Sequence, residues 1–170
     1  MRRRRRKVWL LLIPVLAVGT WFASSAVIDA ASLRVYVIPT KSMLPTIAPG
    51  DRICVDSRHG AAPRRGEIWV ASASNGWIVA KRVIGLPGER IEVAGGKVWI
   101  DGHPLEEPYL MEPITYTMPP TRLGPDRYFL LGDNRNASND SHVWGPLEAG
   151  RFLGRVKFRP WPPSRAGGLR

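Results

Sequence analysis

The chain has 170 residues, 44% of them hydrophobic and 23% charged, with a formal charge of +11. That length allows one modest globular core, and that composition excludes a chain disordered throughout. Residues 2–7 supply six of the 25 basic side chains, leaving 19 against 14 acidic ones, a balance of +5. No recognition-helix pattern, basic-aromatic helix or zinc-ligand spacing accompanies the excess, so it gives no nucleic-acid reading.

In chain order, the basic run abuts "VWLLLIPVLAVGTWFASSAVI", residues 8–28, 21 positions without a charge. This is about the length that crosses a hydrocarbon core of ~30 Å as a helix. Positive charge before the span predicts residues 1–7 as a cytoplasmic tail, 8–28 as a retained single-pass anchor in the lipid bilayer, and the remainder outside. A cleaved signal peptide is the alternative, since small residues from Ala23 to Ala31 offer a cleavage site.

Beyond residue 32 the signal is β. Short runs with alternating or β-branched apolar residues at 33–38, 52–57, 67–72, 77–85, 89–93, 97–102, 127–132 and 151–158 predict strands. Gly95-Gly96 between two such runs predicts a tight hairpin, because both positions tolerate φ > 0. Glycine and proline make 33 residues and no amphipathic helix of three turns is visible. The fold class is therefore mainly β: a compact, antiparallel, coiled or barrel-like catalytic domain over 33–160 behind one N-terminal transmembrane helix. Residues 106–126, with five prolines, read as an irregular excursion and 161–170 as a frayed tail. Only 50 residues separate Lys81 from Gly132, which leaves no room for an independent second core. Cys54 is the only cysteine, so no intramolecular disulfide forms, and its neighbours suggest a buried strand position.

Four segments invite a chemical reading: "PTKSMLPT" (39–46), "GDRICV" (50–55), "KRVIGLPGE" (81–89) and "GDNRNASNDSHVWGP" (132–146). Pro39 and Pro45 disfavour helix in the residues before them, so Ser42 sits in a tight exposed connection, either an ordinary turn or a nucleophile's seat. Serine needs a base, and a lysine serves only when neutral, which requires burial to lower its pKa by roughly two to three units. Lys81 shares a strand face with Val79 and Val83, an unusual setting for lysine. An edge-strand lysine reaching solvent is the plainer reading.

Order and wording of these segments resemble the bacterial type I signal peptidases (leader peptidases), membrane-anchored Ser-Lys proteases, over about residues 39–154. The resemblance implies Ser42 as nucleophile, Lys81 as general base, and Thr40 joining the Ser42 N–H at the oxyanion. It implies that Ser138 orients the lysine and that Arg82, Asp133 and Asp140 form a supporting ion-pair frame. An extended substrate would lie between the strand entering Ser42 and the strand carrying Lys81. Ile38, Met43, Ile47, Val79 and Ala80 would line shallow pockets for small side chains. The implied partners are exported preproteins with Ala-X-Ala sites, and the implied location is the bacterial inner membrane, with no cofactor and no metal. Two residues depart from the pattern: Lys41 puts a charge beside the serine, and His142 stands where an arginine is usual. The second leaves a Ser42-His142-Asp140 triad as an alternative. Rival functions are a conjugative-pilus or SOS-repressor type of Ser-Lys peptidase, or a catalytically silent membrane-tethered β domain that binds partners.

Overall fold

The structure, a computed structural model, describes residues 32–58 and 62–169. The predicted cytoplasmic tail and anchor lie outside these residues; among the described residues no helix is long and apolar enough to cross a membrane. From Arg34 onward the chain forms one unit.

Among the described residues twelve strands form in chain order: β1 Leu33–Val37, β2 Arg52–Asp56, β3 Ile68–Ser72, β4 Ile78–Gly85, β5 Arg90–Ala94, β6 Lys97–Ile100, β7 His103–Pro104, β8 Met118–Arg122, β9 Arg127–Leu131, β10 Leu147–Glu148, β11 Phe152–Trp161 and β12 Gly167–Gly168. The larger sheet has the order β1-β2-β11-β3-β4-β9-β10, with β12 added along β11. The smaller has the order β7-β6-β5-β8. The predicted mainly-β, antiparallel class is the observed one, and each of the eight predicted runs carries a strand.

Alternation is weakest where burial is greatest. In β3, Ile68 and Val70 join one cluster with Ile38, Met43 and Ile53, while Trp69 and Ala71 join another with Leu130 and Phe152. A strand covered on both faces reads as a continuous apolar run instead of an alternating one. The Gly95-Gly96 hairpin forms between β5 and β6 with φ of 60° and 76°. Its sheet does not own its core: Ile91, Val93 and Val98 pack with Ile84, Phe129 and Leu131 from β4 and β9.

Two expectations are corrected. The excursion 106–126 contains β8, which pairs with β5; Pro119 and Pro120 are accommodated because β8 is an edge strand, where an absent N–H leaves no ladder bond unmade. Of the predicted tail, residues 161–169 are held in place by both side chain and backbone. Arg165 donates to Asp51 at 3.3 Å and to the Pro45 carbonyl at 3.1 Å. Arg159 donates to the Arg165 carbonyl at 2.6 Å, and β12 pairs with β11. Charge-assisted bonds to a buried Asp51 supply what the sparse apolar content of this segment lacks.

Candidate active site

Ser42 lies in a loop closed at its neck by Ile38 N–H to the Asp51 carbonyl (2.9 Å) and Gly50 N–H to the Ile38 carbonyl (2.8 Å). The prolines keep this loop from continuing β1 or becoming helix. A second segment is grafted onto it: Asn134 N–H donates to the Ser42 carbonyl at 3.0 Å, and Asn134 Nδ2 to the Lys41 carbonyl at 3.2 Å. Lys81 arrives from β4, opposite Trp69 in the register with β3.

Four side chains meet here. Lys81 Nζ is 2.7 Å from Ser42 Oγ and 3.0 Å from Ser138 Oγ. Thr40 Oγ1 is 3.2 Å from Ser42 Oγ. Lys81 is 3% exposed, and burial lowers its pKa to about 8 against the opposing pull of Asp140 and Asp133. Desolvation outweighs attraction because the nearby carboxylates already have nearer partners.

Arg82, next on the strand, points the other way and is paired. Its Nε and Nη2 reach Asp133 at 2.8 and 2.7 Å, with both side chains at most 1% exposed. Thr46 donates to Asp133 at 2.5 Å, Arg82 Nη1 donates to the Gly66 carbonyl at 2.7 Å, and the guanidinium lies 3.9 Å above the Tyr109 ring. Asp140 is fully buried and caps the short helix α1, Ser141–Trp144. Asp140 and His142 therefore do not share a strand face, as their spacing suggested, but bracket a helix start. His142 Nδ1 meets Asp140 Oδ1 at 2.7 Å, while the hydroxyl of Ser42 meets Lys81 and Thr40.

A cleft of about 620 Å³ runs from Ser42 and Lys81 between β1 and β4. Ile38, Met43, Val79 and Ala80 line it; Ile47 does not, being fully buried in the core beneath the loop. Trp77, exposed at the outer end, and Asn139 also line it and were not singled out from the sequence. Nor was the buried pair of Arg135 with Glu107, which ties the "GDNR" turn to the proline-rich segment. Arg135 stood in a motif, but nothing local marks Glu107 as its partner 28 residues away.

A family model described as signal peptidase, peptidase S26, matches residues 6–161. The chain belongs to this signal peptidase family. It is 42% identical over 160 residues to a signal peptidase I of Leptolyngbya laminosa, covering 85% of this chain and 79% of that one. To a signal peptidase I of Bacillus caldolyticus it is 34% identical, covering 84% and 88%. It is also 36% identical to thylakoidal processing peptidase 1 of Arabidopsis thaliana, covering 75% of this chain and 42% of that one. A solved signal peptidase I from Enterococcus faecalis superimposes with a TM-score of 0.53 at 30% identity, covering 57% of this chain and 98% of that one. Membership makes the protein a serine endopeptidase, a hydrolase.

In this member of the family the two halves of the site touch through Gly132. A Cβ there would stand far inside contact distance of the Ser42 carbonyl and the Ser138 hydroxyl, and 2.8 Å from Ser138 Cβ. Neither group can yield without moving Ser42 or the residue beside Lys81. Gly132→Ala is therefore expected to cut turnover on the order of a hundredfold, as misplacements near 1 Å do, with a stability loss of about 1–3 kcal/mol. Cleavage rate and melting temperature measured on the same preparation check both.

Proposed function

We propose that this chain is a single-pass membrane endopeptidase that removes signal peptides from exported preproteins, using Ser42 as nucleophile and Lys81 as general base. The supporting observation is Lys81 Nζ at 2.7 Å from Ser42 Oγ, in a setting that brings its pKa to about 8. A neutral Lys81 takes the Ser42 proton as Oγ attacks the scissile carbonyl, and Ser138 holds the amine on line. The oxyanion is met by the Ser42 N–H and the Thr40 hydroxyl. Lys81 then passes its proton to the departing amine of the mature protein, leaving the signal peptide as an ester on Ser42. Water, deprotonated by the now neutral Lys81, hydrolyses that ester and frees Ser42.

In this reading Arg82 and Asp133 hold the frame, and Asp140 supports it from the other side. The substrate extends along β1 and β4, with Ile38, Met43, Val79 and Ala80 favouring alanine at the cut and two residues before it. Residues 1–7 stay in the cytoplasm, 8–28 anchor the protein in the inner membrane, and 33–160 work on the outer face. Two observations weigh against the Ser-His-Asp alternative: His142 is turned to Asp140 and to the Tyr116 ring, and Lys81 occupies the base's place at Ser42.

The test is incubation of detergent-solubilised protein with a preprotein bearing an Ala-X-Ala site, followed by sequencing of the new N-terminus. One cut after the second alanine is expected, absent in Ser42→Ala. Equal cutting by Ser42→Ala, or none by either, would overturn the proposal.

A further inference from the structure

Asp140 divides its two oxygens between the site and the surface. Oδ2 accepts Gly132 N–H at 2.9 Å, and Oδ1 accepts the backbone N–H of His142 at 3.2 Å and meets its Nδ1 at 2.7 Å. Gly132 in turn abuts the Ser42 carbonyl and the Ser138 hydroxyl, and Ser138 Oγ is 3.0 Å from Lys81 Nζ. The fully buried carboxylate thus stands between an amine on its inner side and an imidazole, 21% exposed, on its outer side.

The other charges around it are committed. Arg82 and Asp133 form a buried pair, as do Arg135 and Glu107. Tyr116 stacks on the His142 ring at 4.3 Å and 16°, and stays a neutral phenol because burial, then Asp140, push its pKa up to about 12. Beyond these pairs, the basic side chains that Asp140 acts on are Lys81, whose proton it favours, and His142, which it meets directly.

We infer that His142 is a charge-switching positioning residue for Lys81, acting through Asp140. Protonated, it compensates the carboxylate, which then holds the lysine's proton less tightly; neutral, it leaves the carboxylate to favour the ammonium. Asp140 is the larger of the two charges that oppose the effect of burial on Lys81. The consequence is kinetic: a proton on the His142 ring slows the loss of free base at Lys81. The acid limb of the rate profile becomes shallower than a single-proton titration. This rests on Lys81 being the base.

The experiment compares single-turnover cleavage against pH for wild type, His142→Arg and His142→Gln, with Lys81→Ala as control. A permanent cation in place of the imidazole is expected to move the midpoint of the acid limb down by roughly one unit relative to the neutral glutamine, given charges several ångströms apart at an effective dielectric near 20–40. Two units below the midpoint this reads as about a tenfold rate difference. Wild type is expected to follow the arginine variant at low pH and the glutamine variant at high pH. Coincident midpoints for the two variants would make His142 merely structural and end the inference, with the Ser-Lys reading intact. Wild-type turnover in Lys81→Ala would instead end the Ser-Lys reading itself.

Should His142→Arg fail to fold, the reciprocal measurement decides. Coupling is mutual, so the NMR titration of the His142 ring is expected to move up in Lys81→Met, by the same amount as the rate midpoint separates. An unmoved ring titration would overturn the inference.

Discussion

Lys81→Ala is expected to lose cleavage on the order of a thousandfold, within the usual reach of a general base, while Lys81→Met gains stability at neutral pH. Burial brings the amine from the ordinary lysine value near ~10.4 down to about 8. A group whose folded pKa is depressed below the unfolded one binds fewer protons in the folded state between those two values. A lysine so placed opposes folding fully below about 8, and the penalty fades as pH rises toward the unfolded value. The difference corresponds to roughly 3 kcal/mol. Methionine fills similar volume without the charge, so the Lys81→Met melting temperature is expected to exceed that of wild type at pH 7 and to converge on it near pH 10. Lys81→Arg is expected to be as inactive as alanine, because guanidinium stays protonated at any usable pH. His142→Ala is expected to cost far less than either.

Asp133→Ala is expected to destabilise the folded protein by about 3–5 kcal/mol, because it removes the carboxylate paired with an Arg82 guanidinium at 1% exposure. The Gly66 carbonyl, the Tyr109 ring and the Thr46 hydroxyl stay beside it, and none of these three carries a full negative charge. Against a total of about 5–15 kcal/mol for a domain, that is a large share. The pair also holds Thr46, whose loop carries Ser42, so activity falls with stability. Removing both charges together, as Arg82→Met with Asp133→Leu, is expected to restore much of the stability, since a buried pair and an apolar replacement are close in free energy. Urea midpoints of the two single variants and the double variant measure this; a double variant as unstable as the sum of the singles would contradict it.

The β architecture was legible because eight strands carry enough β-branched and aromatic residues to announce themselves, and because Gly95-Gly96 has few other uses. The four unannounced strands are those made by partners instead of composition. β8 contains two prolines, β7, β10 and β12 are two residues each, and every one of them depends on a neighbouring strand. The order in the tail was invisible because it comes from Arg165 reaching Asp51, 114 residues earlier. At the site, the residues that meet around Ser42 stood in motifs. The pairing of Glu107 with Arg135 did not, since either residue alone looks like a solvated charge. Ile47 shows the converse: an apolar residue near a nucleophile reads equally as pocket or core, and only packing separates the two.

Activation of Ser42 by a neutral Lys81 is read from the single-turnover rate of the wild-type protein on one Ala-X-Ala preprotein from about pH 6 to about pH 10. The rate is expected to climb through a midpoint close to that of the buried amine, about 8, to flatten above it, and to vanish throughout in Lys81→Met. A rate indifferent to pH across that range, or a rising limb that survives in Lys81→Met, would contradict it.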